Sequence, residues 1–272
     1  MPPRATILLL SLLLLACAAK QQKPDPNLIW SEQGSPYAFH RSVVYTLLAS
    51  GEITQALPHV KRMLLVQPGS VEAHYLLARC YLELKLYQET RVEVEQAIAL
   101  DRGYAAAHSL KGVLLDRLGE HEKAEAAHRQ ALVLSPQAAQ YHNNLAFGLY
   151  LQGRYEAAIS SFRTAIALDP QLKRIHNNIG FAFARMQRFD DALRHFRIGG
   201  SEAEAHNNLG FAYEQENQTP EAILQYKSAL QKDSELLPAQ ENLNRLVGAT
   251  SQTNPAAKPL SFTATVVEEN LP

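Results

Sequence analysis

The chain has 272 residues, and 26 Lys and Arg against 27 Asp and Glu leave a net charge of −1 with no long block of one sign. That balance argues against nucleic acid as the partner, because phosphate backbones are held by clustered cations. Two cysteines in the whole chain, Cys17 and Cys80, exclude a disulfide framework.

Residues 1–16 read as a secretory signal peptide: a single cation at Arg4 precedes an apolar run from Ile7 to Leu15. The run is too short to span a bilayer, which takes about 20 apolar residues. It ends Leu14-Leu15-Ala16-Cys17, which resembles the lipobox of bacterial lipoproteins. That resemblance implies cleavage before Cys17 and acylation of its thiol, making Cys17 the membrane anchor. An ordinary secretory peptide cut near Ala16 or Ala19 is the alternative. Ala18 after the cysteine, by the same resemblance, implies sorting to the outer membrane, facing the periplasm. Residues 17–36 are polar and proline-bearing, around Lys20-Gln21-Gln22-Lys23-Pro24-Asp25-Pro26, a composition suited to a tether. Fully extended, such a tether reaches about 60 Å. With Cys17 spent on lipid, Cys80 has no partner for an intramolecular disulfide, and it reads as a small buried residue.

From residue 37 the chain becomes periodic. His40, His74, His108, His142 and His176 stand 34 residues apart, and His206 follows after 30. A fixed period of 34 is the mark of the tetratricopeptide helix-turn-helix repeat, in which each unit buries its apolar faces only against its neighbours. The expected fold is all-α: a superhelical solenoid of six repeats at 37–70, 71–104, 105–138, 139–172, 173–202 and 203–236, with a cap helix at 237–248 and a disordered tail at 249–272. Repeat four fits the pattern best, with Leu145-Ala146, Leu149, Gly153, Tyr155, Ala158, Phe162, Ala165 and Pro170 in its slots. Down the columns, Ala78, Gly112, Ala146, Gly180 and Gly210 keep each first helix thin where Ala124, Ala158, Ala192 and Ala222 of the second approach. Repeat one departs from this, with Val44 in the small column and Pro58 inside its second helix. Repeat five lacks four residues, about one helical turn. Either the deletion bends the superhelix or a loop absorbs it.

Six histidines in register invite a metal reading. Ligand nitrogens sit about 2 Å from zinc, whereas equivalent positions on successive packed helices lie roughly 10 Å apart. The histidines occupy the slot where the repeat pattern carries Trp, so packing of a flat ring is expected, with no metal and no cofactor. His121 and His128 flank a solvated face that lacks the second histidine of a metalloprotease helix. No Gly-rich phosphate loop and no nucleophile elbow appears, so a non-enzymatic binding protein is expected.

The binding residues are sought on the first helices, one slot and one turn past the histidine column. Asn144, Asn178, Asn208 and Asn242 form one column; Asn143, Asn177 and Asn207 form the next; Phe147, Phe181 and Phe211 stand a turn beyond. An amide both donates and accepts, so a ladder of asparagines can pair with an extended peptide backbone. The partner-binding groove is therefore assigned to Asn143, Asn144, Phe147, Asn177, Asn178, Phe181, Asn207, Asn208 and Phe211. The alternative is that one asparagine column bridges neighbouring helices while the phenylalanines pack between repeats.

The segments His142-Asn143-Asn144-Leu145-Ala146-Phe147, Gly153-Arg154-Tyr155, His176-Asn177-Asn178-Ile179-Gly180 and the shortened Gly199-Gly200 to Leu209 resemble the tetratricopeptide lipoproteins of the Flp/Tad pilus assembly system. The resemblance covers roughly residues 100–245 besides the lipid signal. It implies an outer-membrane scaffold on the periplasmic face, lipid-anchored, whose partner is a secretin or another pilus-assembly component. A periplasmic adaptor for peptidoglycan hydrolases or proteases is the second expectation.

Overall fold

The computed structural model describes residues 34–248, in which there are thirteen α-helices and no strand. The expected signal, Cys17, its tether as far as residue 33 and the tail at 249–272 lie outside the described residues. Twelve of the helices form six antiparallel hairpins: α1 (Pro36–Ala49) with α2 (Ile53–Val66), α3 (Val71–Glu83) with α4 (Tyr87–Leu100), α5 (Ala105–Arg117) with α6 (His121–Leu134), α7 (Ala139–Leu151) with α8 (Tyr155–Leu168), α9 (Ile175–Arg185) with α10 (Phe189–Gly199), and α11 (Glu202–Gln215) with α12 (Thr219–Lys232). The thirteenth, α13 (Leu237–Gly248), packs against α11 and α12. Each helix packs on the next in the chain, and from α3 onward the backbones of successive first helices also come close, while α1 reaches α3 through side chains bonded to Glu72. Contacts reach no further along the array, as a solenoid requires.

The hairpin turns are built from backbone. In all six, the residue just before the second helix sends its N–H back five residues, as in Glu52 to Leu47, Leu86 to Tyr81 and Arg188 to Phe183, at 2.8–3.0 Å. This bond closes a Schellman motif and needs a left-handed residue just before it. Gly51, Gly119 and Gly153 supply it in three turns, while Lys85, Gln187 and Asn217 adopt φ of 59° in the others. A side chain there costs about 1–2 kcal/mol. Lys85→Gly and Gln187→Gly are accordingly expected to stabilise the array by up to about 1 kcal/mol each, after the added flexibility of the unfolded glycine. A raised urea midpoint is the check.

Packing within hairpins follows a size rule. The small slot of each first helix has a partner slot sixteen positions on in the second: Gly112 meets His128, Gly180 meets Phe196 and Gly210 meets Tyr226, and the equivalent slots Val44 and Val60, Ala78 and Val94, and Ala146 and Phe162 are all fully buried. A methyl group on Gly180 would lie 2.5 Å from the Phe196 ring, and one on Gly210 would lie 2.7 Å from the Tyr226 ring. The small column thus makes room for large rings as well as for the alanine column, which is itself fully buried at Ala124, Ala158, Ala192 and Ala222. The rings of His128, Phe196 and Tyr226 stand opposite glycine and that of Phe162 opposite alanine, while in repeat one valine stands opposite valine.

The apolar core consists of two main blocks, one from Val44 to Leu114 and one from Leu145 to Ala212. Between them, repeat three carries a polar centre. Asp116, with its side chain 3% exposed, accepts from His128 Nε2 at 3.0 Å and pairs with His121 Nδ1 at 3.0 Å. His128 stands where repeats four to six have phenylalanine or tyrosine and repeats one and two have valine. Repeat one is tied on through Glu72, whose carboxylate accepts from Tyr37, Arg41 and Tyr45.

In repeat five the missing turn is taken from α10 and from the junction after it. Helices α9 and α10 have 11 residues each, and α10 is joined to α11 by Gly200 and Ser201 alone. Ser201 then starts α11 with a reciprocal capping box to Glu204.

Candidate functional site

The histidine column sits in the first turn of each first helix, and its role is visible in its bonds. Nε2 of His74, His108 and His142 lies 2.9–3.1 Å from the carbonyl oxygen of Pro68, Arg102 and Pro136, six residues earlier. Each ring therefore pins the start of its helix to the loop that enters it, in addition to packing there. On the other side of the ring, Nδ1 faces a residue nineteen positions on: His59 for His40, Glu93 for His74, His195 for His176 and Gln225 for His206. Sequence reasoning missed these partners because it compared histidines only along the column. An offset of nineteen across a hairpin was the signal available.

The asparagines named from sequence are interior. Asn143, Asn144, Asn177, Asn178, Asn207 and Asn208 are all 0–4% exposed. Their amides form rungs between successive first helices: Asn144 Nδ2 donates to Ser109 Oγ at 3.0 Å, Asn178 Nδ2 to Asn143 Oδ1 at 3.3 Å, and Asn242 Nδ2 to Asn207 Oδ1 at 3.2 Å. Each rung has an offset of 35 residues. The shortened repeat changes that offset, and no such rung joins Asn177 to Asn208. Instead Asn177 Oδ1 lies against Gly199, 2.3 Å from where a Cβ would stand. Asn178 Oδ1, Asn207 Nδ2 and Asn208 Oδ1 are buried without a hydrogen-bond partner. Buried amide groups left in that state cost about 1–3 kcal/mol each unless something satisfies them.

Phe181 is also interior, 3% exposed, with its ring 4.8 Å from Phe196 and 5.8 Å from Phe211 in edge-to-face contact. Direct groove contact by Phe181 and the six asparagines is thus corrected to bridging and packing in this structure, the alternative that sequence left open. Phe147 and Phe211 are only half-buried. Around them lie Tyr150, whose ring is 6.4 Å from Phe147 and whose hydroxyl is pushed up to about 12 by burial, and Arg185, bonded to Tyr155 and to Glu216. Phe147 and Phe211 thus present partly exposed rings on the first helices.

Family models meet this architecture along most of its length. A TPR repeat model matches residues 148–187, and tetratricopeptide repeat models match 47–94, 93–139 and 182–236. The chain is a tetratricopeptide-repeat protein. Repeats of this family generally serve as non-catalytic scaffolds that bind protein or peptide partners. No match to a curated protein sequence was found. Among solved structures, the tetratricopeptide array resembles PilW, described as a widely conserved type IV pilus biogenesis factor, with a TM-score of 0.65 at 17% identity over 78% of this chain and 98% of that one. It resembles Pseudomonas aeruginosa PilF with a TM-score of 0.58 at 16% identity, over 79% and 98%. A chain of the Cut9–Hcn1 hetero-tetramer of the APC/C matches with 0.64 at 17%, over 78% of this chain and 43% of that one. At such identities the likeness is one of fold. Among the described residues of the tetratricopeptide array, no helix is long and apolar enough to cross a membrane.

Proposed function

We propose that this protein is a lipid-anchored scaffold of the outer membrane, on its periplasmic side, that holds a protein partner of a Flp/Tad-type pilus or secretin assembly. The observation that carries the reading is the aromatic surface of the first helices, where Phe147 and Phe211 stay half-buried and Tyr150 stands beside Phe147. A partner segment laid along these helices brings apolar side chains for the two rings. The lipobox-like end at Cys17 and the resemblance of the asparagine-bearing repeats to the Flp/Tad lipoproteins supply the location and the system. Lipidation fixes the array at the membrane while Phe147 and Phe211 hold a partner segment.

In-cell photo-crosslinking from positions 147 and 211, with adducts identified by mass spectrometry, tests this. Adducts to a secretin or pilus-assembly component are expected. Adducts to a peptidoglycan hydrolase or protease would replace the pilus role with the adaptor role. A well-expressed protein giving no adduct from either position would remove the partner site from this face. Cys17→Ser is expected to abolish outer-membrane fractionation, and unchanged fractionation would sink the anchor.

A further inference from the structure

Repeats one and five each bring two imidazoles head to head. Nδ1 of His176, in the first turn of α9, lies 2.9 Å from Nδ1 of His195 on α10, with ring centroids 5.1 Å apart and planes 28° apart. His40 on α1 and His59 on α2 repeat the arrangement, with Nδ1 atoms 3.0 Å apart, centroids 5.1 Å apart and planes at 64°. All four rings are half-buried, so water reaches the pairs. As they stand, one Nδ1–H in each pair donates to the other Nδ1.

Two nitrogens bound at about 2.0–2.1 Å lie roughly 3.3 Å apart on a tetrahedral ion and roughly 2.9 Å apart at adjacent corners of a tetragonal one. The Nδ1 atoms need to part by only a few tenths of an ångström, and turning each ring by roughly 35° aims both lone pairs at one ion, converting either pair from a hydrogen bond to two legs of a chelate. We propose that His176 and His195 form a two-imidazole clamp for a borderline divalent cation such as Cu2+, Ni2+ or Zn2+, and that His40 and His59 form a second clamp of the same kind. The protonated Nδ1 passes its proton to its own Nε2, so a neutral pair takes up the ion without net proton release. Among the described residues no group of three or more histidine, cysteine or acidic side chains converges. Water therefore fills the remaining positions, and binding is exchangeable. Two imidazoles and water favour Cu2+ over the other divalent first-row ions.

The surroundings of the repeat-five pair bear on this in both directions. Burial, then His176 and Arg163, hold His195 down at about 4, with Asp191 acting weakly the other way and Arg194 adding to the depression. Burial also lowers His176. Cations nearby oppose a metal ion, but the same depression keeps both rings neutral in mildly acidic solution, where a free imidazole, at about 6.5, begins to protonate. The Phe183 ring, 5.3 Å from His195, stands beside the pair. An ion held here joins α9 to α10, the shortest hairpin of the array.

Calorimetric titration of the untagged protein with CuCl2, together with electron paramagnetic resonance of the loaded sample, tests the proposal. Two sites with imidazole nitrogen in the copper spectrum are expected. His195→Asn should weaken one site at least tenfold and His59→Asn the other, with far-UV circular dichroism unchanged. The paired variant His108→Asn with His142→Asn, at column histidines bonded to loop carbonyls, should leave both sites intact. Wild-type binding no tighter than that of the variant lacking all four clamp histidines would overturn the proposal. So would a spectrum without imidazole nitrogens.

Discussion

Phe196→Ala is expected to destabilise the array by about 3–5 kcal/mol, the range for emptying a buried aromatic site. The ring is fully buried, stacks edge to face on Phe181 and rests on the bare backbone of Gly180. Gly180→Ala should by itself cost about 1–3 kcal/mol, because its methyl group meets that ring. The informative result is the combination. With the ring removed, the methyl at position 180 points into the space it left, so the two losses should fall short of their sum by 1 kcal/mol or more. Urea unfolding of the two single variants and the double variant measures this. Losses that simply add would mean that Gly180 serves helix approach alone and that the size rule between the columns is accidental.

The second large effect is expected at Asp116. Asp116→Ala leaves His128, 1% exposed, without the carboxylate its Nε2 faces, and strands a polar ring between the two apolar blocks. Removing one member of a buried pair costs about 3–5 kcal/mol, much of it the penalty on the member left behind. Adding His128→Phe to Asp116→Ala should therefore recover at least half of the loss, since it installs in repeat three the ring that repeats four and five carry at Phe162 and Phe196. His121, which is 30% exposed, turns to water in either variant. Equal destabilisation of the single and double variants would place the cost in the lost packing of the carboxylate against Gly148, 3.0 Å from where its Cβ would stand.

These contacts divide by how far they were legible in the sequence. The period of 34 carried the repeat fold, since a solenoid makes its contacts between neighbours and every neighbour repeats the pattern. The role of the histidine column was legible as structural, though its bond to the carbonyl six residues earlier was not. The asparagine columns were legible as columns, but not their placement. A side chain one slot past the histidine faces either solvent or the next first helix, and the 35-residue offset between partners, not the 34-residue period, selects the second. Phe181 stood in line with Phe147 and Phe211 in the sequence. It is interior because Phe196 of α10 and Phe211 of α11 both pack edge to face on it.

Two arrangements belong to tertiary structure alone. The His176–His195 and His40–His59 pairs form because a hairpin turn folds residues nineteen apart onto one level. The Asp116–His128 pair forms because α6 returns antiparallel to α5. Local periodicity in the chain determined that there would be helices, where they would turn and which columns would be small. Which members of a column are buried, and which polar groups meet, was decided only when neighbouring helices closed on one another, because burial and hydrogen-bond geometry are properties of the pair and not of either residue.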